Sequence, residues 1–133
     1  MRILIIGLSG SGKTTLAKEL SAKLNIKHLN ADEIRNQYND WDFSDEGRLR
    51  QANRIKLLAD NYESVICDFI APKEEYRKII KADLIIWMDT VTSSNYPNTD
   101  KLFTKPNNFN YRITDKDVKK WCQIIINDIN KGK

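Results

Sequence analysis

The stretch that decides the fold is Gly7-Leu8-Ser9-Gly10-Ser11-Gly12-Lys13-Thr14. It matches G-x-x-x-x-G-K-[ST] at every fixed position and lies between a predicted strand, residues 3–6, and a predicted helix, residues 13–24. In this context the backbone N–H groups of the loop wrap a nucleotide phosphate at the positive end of a helix. Lys13 then reaches the β- and γ-phosphates, and the Thr14 hydroxyl completes a Mg²⁺ shell. The stretch predicts a site for a nucleoside triphosphate.

Short apolar runs alternate with amphipathic stretches along the rest of the chain. The predicted strands are residues 3–6, 28–29, 65–67, 84–88 and an edge strand at 111–113. The predicted helices are residues 13–24, residues 33–38, one from about Asp45, one with Pro72 at its first position, and a last helix after a capping box of Thr114 and Asp117. This alternation predicts an α/β fold in a single domain, residues 1–133. The sheet is expected to be mainly parallel, with about five strands and helices on both faces.

Length and composition limit the class of protein. The chain has 133 residues, of which 41% are hydrophobic and 30% are charged, values that exclude wholesale disorder. No apolar run approaches the ~20 residues of a membrane span, and the start lacks the apolar core of a signal peptide. Cys67 and Cys122 fit no zinc pattern, so we expect reduced thiols in a cytoplasmic protein. The net charge of +4 suits a small anionic ligand and is too weak to indicate nucleic acid.

Residues 90–110 differ in composition from the rest of the chain. They are rich in Asn, Thr, Ser and Pro, and Pro97 and Pro106 are expected to prevent regular structure. The segment is predicted either to be a mobile lid that closes over bound ligands or to be a plain connector with its aromatic rings in the core. The side chains that would contact ligands in the first case are two lysines and two aromatics, Lys101, Lys105, Phe103 and Phe109.

Three carboxylates follow predicted strands, where ligands gather in open α/β sheets: Asp32, Asp68 and Asp89. Asp68 ends an apolar strand, the arrangement that holds Mg²⁺ beside a phosphate loop. A strand-end carboxylate that caps nearby N–H groups is the alternative. Asp32 in turn is open to interpretation as the N-cap of the helix at 33–38.

The chain resembles the adenylylsulfate kinase family over residues 1–90. Residues 7–17, GLSGSGKTTLA, are similar to the family's phosphate loop, and four further stretches follow in order. Residues 30–35 (NADEIR) resemble D-G-D-N-x-R, residues 43–48 (FSDEGR) resemble F-S-x-x-D-R, residues 69–72 (FIAP, with Arg77 behind) resemble F-I-S-P, and Asp89-Thr90 matches D-T. The departures are Asn30 for the first acid, Ala71 for Ser and Gln51 for Asn. The family's lid segments are missing, and residues 90–110 take their place.

The resemblance implies a P-loop kinase fold and transfer of phosphate from ATP to the 3′-hydroxyl of adenylyl sulfate. Asp32 would take the substrate proton and help place Mg²⁺, Arg35 and Arg48 would bind the phosphosulfate, and Phe43 would stack on the adenine. A dianionic acceptor close to ATP needs guanidinium donors, which agrees with the two arginines. The alternatives are a solvated helix surface for the arginines and a core position for Phe43 and Trp41.

The complete predicted site has a catalytic, a nucleotide, an acceptor and a metal part. Lys13 and Asp32 are the predicted catalytic residues. The predicted ATP contacts are Gly7, Ser9, Gly10, Ser11, Gly12, Lys13, Thr14 and Thr15. The predicted acceptor contacts are Asp32, Arg35, Phe43, Arg48, Gln51, Phe69 and Ile70. The predicted Mg²⁺ ligands are Thr14, Asp32 and Asp68.

Other functions of the same motif stay open at this point. A kinase of this kind could use another acceptor, such as a different nucleotide, a sugar or a polynucleotide end, and a nucleotide-binding switch is the non-enzymatic alternative. Retention of Asp32, Arg35 and Arg48 favours the kinases, because a pure binder needs no base beside an anion pocket. His28, on a predicted strand, is expected to be structural. The expected partner is a small anionic nucleotide, without membrane or nucleic acid, and a homodimer is compatible with the sequence.

Overall fold

The central strand of the sheet, β1 (Arg2–Gly7), leads directly into the phosphate loop. The computed structural model describes residues 1–132, and within them five parallel strands pair in the order β2-β3-β1-β4-β5. The other strands are β2 (Lys27–Asn30), β3 (Val65–Asp68), β4 (Leu84–Met88) and β5 (Tyr111–Ile113). The helices are α1 (Lys13–Leu24), α2 (Ala31–Tyr38), α3 (Asp45–Ala59), α4 (Glu74–Ile80), α5 (Pro97–Leu102) and α6 (Val118–Lys131).

Side chains of β1 alternate between two hydrophobic cores. Ile3 and Ile5 pack into the core shared with α1 and α6, whereas Leu4 and Ile6 pack into the core shared with α3 and α4. All four side chains are fully buried, which explains why the strand is apolar at every position. The predicted α/β fold, with a five-stranded parallel sheet between two layers of helices, is confirmed.

Parallel pairing brings the carboxyl ends of the strands to one edge of the sheet. Ile5 of β1 and Asn30 of β2 both align with Asp68 of β3, and Gly7 aligns with Met88 of β4. The loops that carry the predicted site residues therefore leave the sheet side by side. None of the helices within residues 1–132 has the length and hydrophobicity that a membrane crossing requires.

The starts of three helices differ from the prediction. The side chain of Asn30, not that of Asp32, caps α2, and it accepts a hydrogen bond from the Glu33 backbone N–H at 3.0 Å. Asp117 caps α6 in place of Thr114. Pro72 lies before α4, whose first residue is Glu74, so the prediction that it opens the helix is wrong.

Residues 90–110 contain a helix, contrary to the expectation that their prolines prevent regular structure. Pro97 is the first residue of α5, a position where the missing N–H has no intrahelical partner to lose. Phe103, just after this helix, packs against the core on the α3–α4 face of the sheet. The segment is therefore anchored to the rest of the domain by the packing of Phe103 against the core.

Gly47 of α3 fixes the course of the chain segment before this helix. A Cβ atom built on Gly47 would lie 2.2 Å from the Asp42 carbonyl oxygen, far inside van der Waals contact. The segment at residues 40–43 can therefore approach α3 only because this position has no side chain.

We expect Gly47→Ala to lower the free energy of unfolding by about 1–2 kcal/mol, since the strain of overpacking exceeds the gain in helix propensity. Denaturant unfolding measures the change. Gly132→Ala is the matched control, because its added Cβ would lie 3.5 Å from the Ile129 carbonyl oxygen, an ordinary van der Waals distance. Unchanged or increased stability of Gly47→Ala would show that the segment at 40–43 yields freely.

Candidate active site

A cleft of about 160 Å³ opens at the carboxyl edge of the sheet. The predicted site residues that line it are Ser9, Gly10, Lys13, Thr14, Asp32, Arg35, Phe43, Arg48, Gln51, Asp68, Phe69 and Ile70. Four predicted nucleotide contacts do not line it: Gly7 and Ser11 are buried, Gly12 is half-buried, and Thr15 is exposed on α1. The structure thus brings most of the predicted nucleotide and acceptor residues to one place.

The phosphate loop has the backbone geometry of an anion cradle. Gly10 and Gly12 adopt left-handed φ angles of 80° and 99°, and Gly12 forms the N-cap of α1. The ammonium of Lys13 donates to the Leu8 carbonyl oxygen at 3.0 Å, inside the loop. Burial lowers the pKa of Lys13, and the carboxylates of Asp68 and Asp32 act against that shift. The amine is thus bonded to the loop and faces the same cleft as the two predicted carboxylates.

Asp68 is the centre of a hydrogen-bonded cluster. Its Oδ2 atom accepts from Thr14 Oγ1 at 3.1 Å and from Asn30 Nδ2 at 2.9 Å, and it lies 2.8 Å from His28 Nε2. The carboxylate is 2% exposed, so these bonds replace the water that it lost on folding. The cluster joins the phosphate loop to β2 and β3.

His28 contacts a predicted Mg²⁺ ligand, a contact that the sequence analysis did not anticipate. His28 and Asn30 are two positions apart on β2, and alternate residues of a strand face the same side. Both side chains meet Asp68, so the alternation itself was the available signal. Within residues 1–132 no three His, Cys, Asp or Glu side chains group to hold a metal ion by themselves.

Asp32 lies in the first turn of α2 as an exposed carboxylate on the cleft wall. Its interpretation as the helix N-cap is wrong, because Asn30 holds that position. The negative charge of Asp32 acts on both Lys13 and Arg35. A carboxylate at this place can accept a proton from a hydroxyl bound next to the phosphate loop.

The two predicted anion-binding arginines are buried, at 5% exposure for Arg35 and 8% for Arg48. Arg35 Nη1 donates to the carbonyl oxygens of Asp40 and Asp42 at 2.9 and 3.2 Å, and Arg48 Nε donates to that of Phe43 at 2.8 Å. The alternative of a solvated helix surface is therefore wrong. Both guanidinium groups face the cleft from a fixed position.

Phe43 is an exposed aromatic at the cleft, so its interpretation as a core residue is wrong. Its side chain is 46% exposed, and Trp41 beside it is 47% exposed. The guanidinium carbons of Arg35 and Arg48 lie 4.4 and 5.4 Å from the centre of its ring. The ring is held by cations and still presents open surface to a ligand.

Gln51 and Arg77 hold the walls of the cleft. Gln51 Nε2 donates to the Ala31 carbonyl oxygen at 2.9 Å and so ties α3 to α2. Arg77 Nε donates to the Ala71 carbonyl oxygen at 2.8 Å, behind the wall that Phe69 and Ile70 line. The amide of Gln51 thus has a partner inside the protein as well as a place on the cleft surface.

Residues 90–110 reach the site through Thr99 of α5. The buried Thr99 hydroxyl accepts from Arg48 Nη2 at 3.0 Å. The side chains predicted to contact ligands lie elsewhere. Lys101 and Lys105 are exposed outside the cleft lining, Phe103 lies under the Arg77 guanidinium, and Phe109 packs edge-on against Trp87.

The sequence matches a known protein family over most of its length. The family described as adenylylsulphate kinase matches residues 1–91, which include the phosphate loop, all the predicted acceptor contacts and Asp89. No curated protein sequence matches the chain significantly.

Solved structures share the fold over nearly the whole chain. An APS kinase from Mycobacterium tuberculosis, solved with AMPPNP and APS, has a TM-score of 0.82 at 24% identity and covers 97% of this chain and 96% of its own. A Cys556Ala mutant of the APS kinase from the same organism has a TM-score of 0.76 at 26% identity, with the same coverage. A shikimate kinase from Acinetobacter baumannii in complex with shikimate has a TM-score of 0.69 at 17% identity and covers 99% of this chain and 94% of its own.

The double role of Asn30 gives a prediction about stability. Its Oδ1 caps α2, while its Nδ2 bonds Thr14 and Asp68. We expect Asn30→Ala to lower the free energy of unfolding by about 2–3 kcal/mol, and Asn30→Ser, which retains a cap, by about 1–2 kcal/mol. Denaturant unfolding separates the two contributions. Asn36→Ala, on the exposed face of α2, is the control. Equal losses for the serine and alanine variants would contradict the capping role.

Proposed function

Because the chain belongs to the adenylylsulphate kinase family, we propose that it transfers the γ-phosphoryl group of ATP to the 3′-hydroxyl of adenylyl sulfate. Family membership makes it an ATP-dependent phosphotransferase with a P-loop kinase fold. The proposal concerns the acceptor and the residues that act on it. Its main support is one observation: the phosphate loop, the exposed carboxylate of Asp32 and two buried arginines line the same cleft.

On the nucleotide side, the phosphate loop would bind the ATP phosphates through its N–H groups, and Lys13 would stabilise charge on the γ-phosphoryl group as it moves. Thr14, Asp68 and Asp32 would hold a Mg²⁺ ion, which is supported by the hydrogen bond from Thr14 to Asp68 and by the position of all three side chains on the cleft lining. Oxygen donors of this kind suit Mg²⁺, which takes few protein ligands when phosphates supply the others. When bound, the ion neutralises phosphate charge.

On the acceptor side, Asp32 would accept the proton of the 3′-hydroxyl as that oxygen attacks the γ-phosphorus and the bond to the ADP oxygen breaks. Arg35 and Arg48 would bind the phosphosulfate with the N–H groups that protein carbonyls leave unused. Phe43 would stack on the adenine, and the backbone of Phe69 and Ile70 would line the pocket around it.

The fixed arginines support a site organised before substrate arrives. Each guanidinium already bonds backbone carbonyls of residues 40–43, so little side-chain entropy remains to be lost when an anion binds. Their burial favours binding of an anion, because a cation shielded from water interacts more strongly with a charge brought beside it.

We assign residues 90–110 the place of the family lid. The bond from Arg48 to Thr99 supports this assignment, because it links the segment to an acceptor-binding side chain. A nucleotide switch without catalysis is less well supported, since such a protein has no use for a free carboxylate at Asp32 beside the phosphate loop.

A coupled assay that detects ADP tests the proposal. The chain, with ATP and Mg²⁺, is offered adenylyl sulfate, shikimate, gluconate and nucleoside monophosphates in turn. We expect turnover with adenylyl sulfate well above the ATP-only background, and a product that carries the new phosphate on the 3′-oxygen. Turnover only with another acceptor, or with none, would overturn the choice of adenylyl sulfate.

Asp32→Asn is expected to lower kcat by about 10²–10⁴-fold, because the amide cannot accept the proton. Stability should be nearly unchanged, since Asn30 and not Asp32 caps α2. Steady-state kinetics and thermal unfolding measure both properties. Glu33→Gln, which removes a neighbouring exposed carboxylate outside the cleft lining, is the control. A variant with normal kcat and reduced Tm would show that Asp32 is structural.

A further inference from the structure

Tyr76 is a cleft residue to which the proposed function gives no task. It lies on α4, its side chain is 1% exposed, and it lines the cleft together with Arg48 and Phe43. The sequence analysis did not single it out, because an aromatic residue on an amphipathic helix looks like part of the core. Its ring indeed packs into the core on that face of the sheet.

The hydroxyl of Tyr76 is buried without a hydrogen-bond partner among residues 1–132. Among the described residues, the only other buried side-chain polar atom without a hydrogen-bond partner is the Ser11 hydroxyl. Folded proteins seldom leave such groups unpaired, because the lost hydrogen bond to water is not replaced. A phenylalanine would fill the same space without burying an unpaired hydroxyl. The presence of the oxygen is therefore explained by a hydrogen-bond partner that comes from outside the protein.

The groups around the hydroxyl keep it in its neutral form. Burial raises the pKa of Tyr76, with the carboxylates of Glu75 and Asp45 acting in the same direction and Arg48 against it. A neutral phenol both donates and accepts a hydrogen bond. Tyr76 can therefore pair with a ligand group of either kind.

The ring of Phe43 lies in the same cleft as Tyr76. Phe43, Arg48 and Tyr76 all line this cleft, and the guanidinium carbon of Arg48 lies 5.4 Å from the centre of the Phe43 ring. A flat base that stacks on Phe43 would thus have an edge near Tyr76.

We infer that the Tyr76 hydroxyl hydrogen-bonds the polar edge of the acceptor's purine base and so strengthens the binding of an adenine nucleotide in the cleft. An adenine edge presents a ring nitrogen that accepts and an amino group that donates, and both match a phenol. The inference rests on the proposed function, because it takes the base stacked on Phe43 to be that of the acceptor.

The test compares Tyr76→Phe with the wild-type chain by calorimetric titration in the presence of ADP and Mg²⁺. The probes are adenylyl sulfate and adenosine 5′-monophosphate, which carry the same base and differ in the sulfate. We expect both to bind about tenfold more weakly to Tyr76→Phe, while the Tm of the ligand-free variant holds or rises. An ATP analogue should bind as before. Tyr111→Phe is the control, since its hydroxyl bonds Asp128 outside the cleft.

The outcomes separate this inference from the proposed function. Equal affinities of the two chains for both probes would overturn the inference and leave the function intact. A loss confined to adenylyl sulfate would also overturn it, because the contact would then lie at the sulfate. If the wild-type chain binds the monophosphate but not adenylyl sulfate, the proposed acceptor is wrong. The affinity of Tyr76→Phe for the monophosphate then tests the role of Tyr76 by itself. If it binds neither probe, both proposals fail.

Discussion

The buried carboxylate of Asp68 is the group on which the rest of the site depends. A charge that is 2% exposed needs hydrogen-bond partners, and these come from Thr14, His28 and Asn30. The carboxylate therefore fixes the phosphate loop relative to β2. Asn30 extends the effect, because the same amide that bonds Asp68 also caps α2 and so sets where Asp32 lies.

Much of this arrangement could be predicted from the sequence. The rest could not, because more than one residue was suited to the same structural position. The strand at 3–6 and the phosphate loop are readily recognised in the sequence, because a buried parallel strand and a phosphate-binding loop each accept few residue types. The cap of α2 could not be assigned from the sequence, because Asp and Asn cap helices about equally well and the sequence offers both within three positions. Only the bond from Asn30 to Asp68, a contact between two strands, decides between them. The role of Pro97 was mispredicted for another reason: proline ends a helix in its interior but suits its first residue.

The arginines show why burial could not be inferred from a helical pattern. Arg35 and Arg48 look like solvated positions, yet they are buried because the segment at residues 40–43 folds over them and offers its carbonyls. That segment is in turn held by Arg50, whose hydrogen bond keeps the pKa of Asp40 well below its usual range. Cations thus organise a loop with no regular structure, and the loop positions Phe43 at the cleft. Helical periodicity contains no signal for such bonds between a helix side chain and the irregular segment beside it.

The segment at residues 90–110 is coupled to the cleft through two arginines with different consequences. Arg77 is buried and bonds both the Ala71 and Thr104 carbonyls, so displacing the chain around Thr104 would leave a buried cation short of partners. Arg48 instead forms one hydrogen bond to the segment, to the side-chain hydroxyl of Thr99, and an anion could replace this hydroxyl as a partner. Any closure of this segment on substrate is therefore expected to pivot near Thr104 and to move α5. In that geometry Arg48, the arginine proposed to bind the acceptor, is also the residue through which acceptor binding would move the segment.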